Sequence, residues 1–364
     1  MRNPCLATGI TAFLFLPISS LQAGLYIPAL PTQGPEISPQ GVKSLPFSIF
    51  RRDVLEDMLR IANPQPPESK IRQQVLKAKD MLSAKFRTGS LTLPDRVNLS
   101  GYQIRLRQYQ EAIDLLTPVA TRECRNFMVF ANLATAEQLA GNLERAISHL
   151  EQALDVWPSE WPGLTADQLR WHHKVEKYQL ALLRRRWADS RLQSKPAPAL
   201  DSLFVKDGQP VRFVGDNGKY EAGKIAAAER DKLPPDALAI VQQLLIWLPD
   251  DVLLYWQLGE VLNASGDVSS AATVFDDCVW KRRLDAPELR QHRQIVAEAA
   301  QVKSEESATA LEGSDNSPAP ASGPNWLPDR NKLWTAGSIF AIIIAALAYF
   351  QIREFRRRRA GRPS

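Results

Sequence analysis

Residues 127–160 read FMVFANLATAEQLAGNLERAISHLEQALDVWPSE, and this stretch decides the fold. Apolar and small residues recur at helical spacing on both sides of Gly141, and Pro158 closes the stretch. Ala134 and Ala146 are small enough for two antiparallel helices to cross closely beside them. The stretch therefore predicts a pair of helices joined by a tight turn at Gly141.

The same pattern returns further along the chain, in residues 252–285. Its matching positions are Tyr255, Leu258, Gly259, Leu262, Gly266, Ala271 and Phe275. Two weaker stretches, residues 93–126 and 218–251, directly precede the two clear ones and keep the same 34-residue step. Because a helical solenoid needs about three units to bury its core, we expect these weaker stretches to be repeats as well.

This pattern resembles the tetratricopeptide repeat at most of its defining positions. The matching residues are Phe130, Leu133, Ala134, Gly141, Ala146, Leu150, Ala153 and Pro158, whereas Glu137 replaces the family's usual Tyr. The resemblance implies an all-α solenoid of helical hairpins that binds partner proteins. We add a small β-hairpin insertion and a C-terminal transmembrane helix to this predicted fold.

The resemblance also implies a partner-binding groove. Three positions on the first helix of each unit tend to face the concave surface of such proteins. Here they are Val97, Gly101, Ile104, Ala131, Thr135, Gln138, Trp256, Glu260 and Asn263. Partner peptides or helices are the expected ligands, although the Lys and Asn clamp for a terminal carboxylate is missing. Trp256 either anchors a partner or packs against the insertion.

Both ends of the chain predict export and membrane anchoring. Residues 1–23 have the layout of a secretory signal, with an uncleaved N-terminal anchor as the alternative. Residues 333–352 form an apolar run long enough for a transmembrane helix. The basic tail, residues 353–364, predicts that this end is cytoplasmic. Gly337, Ala341 and Ala345 form a small-residue face that could pair two such helices into a homo-oligomer.

The segments around the repeats have distinct compositions, which suggest their roles. The expected order is a Pro-rich extended arm in 24–47, N-terminal helices in 48–92, repeats in 93–160, a long helix in 161–194, a β-hairpin insertion in 195–222, a degenerate and a good repeat with a capping helix in 223–302, and a disordered linker in 303–332. Thr165 and Gln168 predict a capping box at the start of the long helix. Asp207-Gly208 predicts a hairpin turn. Ala78 and Leu82 mark either a degenerate repeat or an amphipathic cap.

Charge and cysteine content exclude several classes of protein. Arg2 contributes +1 and the tail +5, so the overall charge of +5 leaves −1 for residues 3–352. A nearly neutral exported domain does not have the basic surface of a nucleic-acid-binding protein. Cys124 and Cys278 lie far apart in the sequence, and both are interpreted as buried thiols without a disulfide scaffold.

No motif for catalysis, a cofactor or a metal stands out. His172 and Glu176 share one helix face, but a packing role fits them better than metal binding. The sequence therefore predicts a non-enzymatic scaffold for protein partners at a bacterial envelope membrane. The alternative is an envelope enzyme or small-molecule-binding protein with its site in residues 195–235, and a purely structural stalk is a third hypothesis.

Overall fold

A computed structural model describes residues 25–27, 34–64, 68–121, 123–192 and 198–314, and the fold is mostly helical, as the all-α prediction requires. The chain divides into two compact units, residues 1–305 and 306–364. The predicted signal, transmembrane helix and basic tail lie outside the described residues. Within the described part, no helix is both long and apolar enough to cross a membrane.

The secondary structure begins with two short strands and continues almost entirely as helices. In chain order the elements are β1 Glu36–Ser38, β2 Gly41–Lys43, α1 Phe47–Ile49, a π-helical turn Phe50–Leu55, α2 Glu56–Ala62, α3 Lys70–Arg87, α4 Leu93–Arg105, α5 Tyr109–Leu116, a 3₁₀ turn Thr117–Val119, α6 Phe127–Leu139, α7 Leu143–Asp155, α8 Ala166–Ser190, β3 Val205–Lys206, β4 Gln209–Pro210, α9 Ala227–Arg230, α10 Ala237–Trp247, α11 Val252–Ala264, α12 Val268–Asp276, a π-helical turn Asp277–Lys281 and α13 Pro287–Ser314.

Three helical hairpins have the same length of first helix and the same spacing between their two helices. The first helices α4, α6 and α11 each contain 13 residues, and they start where the 34-residue pattern places the units. Their partners α5, α7 and α12 each begin 16 positions after the start of the first helix. The sequence pattern thus positioned both helices of these units, including the weak unit in residues 93–126.

Small residues in the hairpins are explained by close packing and by turn geometry. A Cβ atom on Gly259 would lie 2.4 Å from Cε1 of Phe275, so any larger residue would push α12 away from α11. Ala146 is fully buried where α7 faces α6. Gly141 and Gly266 both adopt φ +87° in the turns, a conformation that costs glycine little.

Residues 218–251 do not form a helical hairpin, so the prediction that they are a weak repeat is wrong. Only the four-residue α9 and a turn at Pro234-Pro235 precede α10. Because proline interrupts a helix, α9 does not continue into α10. Helix α10 packs instead against α11 and, to a smaller extent, against α8, which begins with the predicted capping box. Trp171 of α8 donates from Nε1 to Oε1 of Gln243 at 3.3 Å.

Two ion pairs join helical segments that lie far apart in the sequence. Arg107, just after α4, forms an ion pair of 2.7 Å with Asp250, just before α11. Arg51 in the first π-helical turn pairs with Asp277 in the second at 2.9 Å. The N-terminal helices thereby join the last hairpin of the chain.

The insertion contains a shorter hairpin than the sequence suggested. β3 and β4 pair antiparallel around Asp207-Gly208, whose φ angles are +51° and +75° as the predicted turn requires. Residues 211–220 form no strand; a hydrogen bond of 2.8 Å from Gly215 N to Lys219 O closes their turn instead.

Helix α13 runs to Ser314, so the prediction of a disordered linker from Lys303 onwards is wrong for its first part. Residues 303–314 contain Ala, Glu and Leu and no proline, a composition compatible with continuing the helix. The prolines of this region begin at Pro318, which lies outside the described residues.

Candidate peptide-binding groove

The first half of the predicted groove is filled by the protein's own residues Leu25–Ile27. These three residues are 2%, 0% and 5% exposed. A Cβ atom on Gly101 would lie 2.3 Å from Cγ1 of Ile27 and 2.9 Å from the carbonyl oxygen of Tyr26. Gly101 therefore allows this segment to lie directly against α4. The prediction that residues 24–47 are extended rather than packed is wrong here.

Asn132 holds the segment by its main chain. The Tyr26 N–H donates to Oδ1 of Asn132 at 2.6 Å, and Nδ2 of Asn132 donates to the Tyr26 carbonyl at 3.0 Å. The same Nδ2 lies 3.1 Å from Ser100 Oγ and from the carbonyl of Val97 on α4. Because buried peptide groups need hydrogen-bond partners, Asn132 makes burial of an irregular segment possible.

The Tyr26 side chain fills an aromatic pocket. Its ring packs edge-on against Phe127 at a centroid distance of 4.9 Å and lies 6.5 Å from the ring of His172. The hydroxyl donates to Oε1 of Glu176 at 3.4 Å. Burial lowers the pKa of His172 to about 3, so its imidazole is neutral near pH 7. His172 and Glu176 therefore shape a pocket for a phenol.

The predicted groove residues of the first two hairpins lie around this segment or on the same helix faces. Those that are fully buried are Val97, Gly101, Ile104, Ala131 and Thr135. Gln138 is half-buried and accepts a hydrogen bond of 2.9 Å from Nε2 of Gln179. The groove residues are thus not a free surface while Leu25–Ile27 is in place.

The remaining predicted groove residues belong to the protein core. Trp256 is 0% exposed, and its Nε1 donates to Oε1 of Glu260 at 2.6 Å. Nδ1 of His292, on α13, lies 2.8 Å from the same oxygen. Tyr220 of the insertion stacks on the His292 ring at 3.5 Å. Burial and the nearby Glu260 carboxylate raise the pKa of Tyr220. Trp256 thus packs beneath the insertion and α13.

Asn263 repeats the mode of binding seen at Asn132. Its Oδ1 accepts from Gly223 N at 2.7 Å, and its Nδ2 donates to the carbonyl of Glu221 at 3.0 Å. Gln242 on α10 holds Leu45 likewise, with 2.9 Å to the N–H and 2.8 Å to the carbonyl. Buried amide side chains thus fix three irregular segments of the chain on its helices.

Sequence reasoning identified Asn263 but missed Asn132 and Gln242. Both missed residues are polar positions within helices that are otherwise almost wholly apolar, and both are 0% exposed. A buried amide needs partners, so such a position signals that another segment packs there. The identity of that segment was not visible, because Asn132 and Tyr26 are 106 residues apart.

The described residues offer little for metal or thiol chemistry. They contain no group of three or more His, Cys, Asp or Glu side chains placed to hold a metal ion. Cys124 and Cys278 are free thiols, the first half-buried and the second buried. Burial raises the pKa of Cys278 to about 12, which keeps it protonated. The contacts that hold Leu25–Ile27 are packing contacts and hydrogen bonds.

Comparisons with models of protein families, with curated proteins and with solved structures find no match to this chain. The groove itself therefore carries the information about function. Its features are a main-chain clamp at Asn132, a pocket for an aromatic side chain beside Phe127, and the absence of a side chain at Gly101.

Proposed function

We propose that this protein is a tetratricopeptide-type scaffold that binds an extended peptide of a partner protein in the groove occupied by Leu25–Ile27. The bidentate hydrogen bonding of Asn132 to Tyr26 carries the proposal, because it depends on the main chain and not on the side-chain sequence. Any extended segment presents the same pair of groups. The protein's own segment thus acts as an internal ligand that a partner must displace.

The groove also defines the chemistry of the partner peptide. The middle residue is aromatic with a hydroxyl, because Phe127 packs on the ring and Glu176 accepts from the hydroxyl. The following residue is aliphatic and lies over Gly101. A peptide of the form aliphatic, Tyr, aliphatic therefore matches the contacts that Leu25–Ile27 makes. Main-chain contacts supply affinity in such a complex, and side-chain pockets supply specificity.

Export and anchoring are part of this proposal. The signal-like residues 1–23 and the apolar residues 333–352 favour a scaffold that faces the exterior of the cytoplasmic membrane. Protease added to spheroplasts should digest the helical region, whereas a tag placed after Ser364 should survive. Cleavage of that tag from outside would reject the topology without affecting the groove.

A peptide-binding experiment tests the groove. The probe is a fluorescent peptide of residues 24–30, GLYIPAL, and the receptor is the full-length protein carrying L25G, Y26G and I27G. We expect saturable binding to this variant and much weaker binding to the wild type, since the tethered segment competes at high effective concentration. Adding N132A should abolish binding, whereas N142A, which removes an asparagine outside the groove, should not.

The outcome that contradicts the proposal is equally clear. A folded triple-glycine variant that fails to bind the probe would show that the groove holds its own segment only as part of the core. Circular dichroism and thermal unfolding establish that the variant is folded. Should the triple variant not fold, Y26A alone empties the aromatic pocket and serves as the receptor, with the same two asparagine variants.

A further inference from the structure

The side chain of Arg105 is buried without a matching acceptor. It extends from the last turn of α4 and is 5% exposed. One guanidinium nitrogen, Nη1, lies at a long 3.5 Å from the Trp247 carbonyl, and Nε has no hydrogen-bond partner among the described residues. Nε1 of Trp247, on α10, likewise lacks a partner there. Two residues that line one cavity thus each carry a buried N–H donor without an acceptor.

The charges around this cavity do not balance. The cavity, about 20 Å³ in volume, is lined by three charged residues, Arg105, Arg107 and Asp250. Asp250 pairs directly with Arg107 at 2.7 Å and reaches Arg105 only through its electrostatic field, so the three groups together carry a net charge of +1. Burial lowers the pKa of Arg105 to about 9, which still leaves it protonated near pH 7. A buried charge without a partner is costly.

The cavity has room for one small ligand. A water molecule requires about 10–15 Å³ of such volume, so the space fits a single water or an ion of similar size. Water could accept a hydrogen bond from Nε of Arg105, but it would not neutralise the guanidinium charge. A monovalent anion would do both. The rest of the lining is mostly apolar and includes Leu25, and the small volume limits the occupant to a single small ion or water.

We propose that this cavity binds one monovalent halide, chloride under cellular conditions, against the guanidinium of Arg105. Leu25 lines the cavity, so docking of the N-terminal segment closes the site from that side. The proposal concerns a structural anion and does not depend on partner binding. It assigns a counter-ion to the net positive charge that remains among the three charged residues lining the cavity.

Thermal unfolding of the full-length protein in nonionic detergent tests the site. Chloride and bromide are compared with gluconate, a monovalent anion too large for the cavity, at equal sodium concentration. A ligand of the native state raises Tm with the logarithm of its concentration, and for a domain of this size we expect about 2 °C per tenfold increase. Gluconate should produce no such specific rise.

Amino-acid substitutions test whether the rise in Tm with chloride comes from this cavity. R105M should abolish the difference between chloride and gluconate, and W247F should reduce it. R184M removes an exposed arginine of α8 as a matched control and should retain the difference. If R105M does not fold, R107Q replaces it, because the loss of that charge makes the cavity neutral and should weaken halide binding. A bromide-soaked crystal should show an anomalous peak beside Arg105.

Two results would overturn the inference. Identical Tm values in chloride and gluconate for the wild type would show that no small anion binds the native state. A halide effect of equal size in the wild type and in R105M or R107Q would place the ion elsewhere. Neither result affects the peptide experiment, which uses a different readout and different residues.

Discussion

The two halves of the predicted groove are both filled by the protein's own chain, but in different ways. At one end, Leu25–Ile27 lies on α4 and α6 and is held chiefly by Asn132. At the other end, the insertion covers Trp256 and Glu260, and Tyr220 adds an aromatic stack. The first resembles a bound peptide and the second resembles a core. If the proposed function holds, we expect only the first to exchange its occupant without loss of the fold.

Loss of Trp256 should be the largest effect and should fall on stability. W256A removes a fully buried indole and leaves Glu260 without that donor, so the free energy of unfolding should fall by about 3–5 kcal/mol. Urea denaturation measures the change. The control is W280A, whose side chain is 67% exposed and should alter stability by less than about 0.5 kcal/mol. A small loss in W256A would mean that this end is a groove after all.

The pH dependence of stability should reveal the buried His172 at the other end. Its pKa is about 3 in the folded protein and about 6.5 in an unfolded chain, so the unfolded state binds the proton more readily. The neutral imidazole therefore makes its full contribution to the free energy of unfolding above pH 6.5, and this contribution is lost as the pH falls towards 3. Between pH 6.5 and 5 the loss is about 2 kcal/mol.

Substitution H172F should remove this part of the pH dependence. Denaturation curves at pH 7, 6 and 5 for the wild type and the variant measure it. H173F serves as the control, because His173 is only partly buried beside Trp157. Parallel pH profiles for the wild type and H172F would show that His172 does not stay neutral in the folded protein.

The hairpins were predictable from sequence because their determinants are local. Gly141, Ala146 and Gly259 lie within their own units, and a 34-residue period is enough to place them. The contacts that close the fold are not local. Arg107 and Asp250 are 143 residues apart, and Leu45 and Gln242 are 197 apart. No period or motif encodes such pairings.

The candidate site was predictable only in its helical half. Val97, Gly101 and Ala131 followed from the repeat frame, but Leu25–Ile27 is three residues long and has no measurable periodicity. Pro28 and Pro31, which follow the segment, suggested an extended arm that does not pack against the helices. The prediction of a repeat in residues 218–251 was wrong although part of the pattern was present. Ala237 and Val241 match the repeat frame, but the first helix that the frame requires does not form.

Two glycine substitutions compare the two kinds of packing directly. G259A should force Phe275 and α12 away, at a cost of about 1–3 kcal/mol in unfolding free energy. G101A creates an equally short contact, but with Ile27, which the fold can release. We therefore expect G101A to cost less than G259A while increasing hydrogen exchange at Tyr26. Equal costs, with Tyr26 still protected, would show that the segment is a fixed part of the core.

The smallest expected effect concerns the hydroxyl of Tyr26. Y26F keeps the ring against Phe127 and removes the hydroxyl that donates to Glu176 at 3.4 Å, so it should cost about 0.5–1.5 kcal/mol. If the groove reads this hydroxyl, a probe peptide with Phe in place of Tyr should bind the triple-glycine variant several-fold more weakly. The change E176Q keeps an acceptor and should preserve most of the preference, whereas E176L should remove it. A peptide preference that survives E176L would mean that the hydroxyl is recognised elsewhere, and the pocket assignment would have to move from α8.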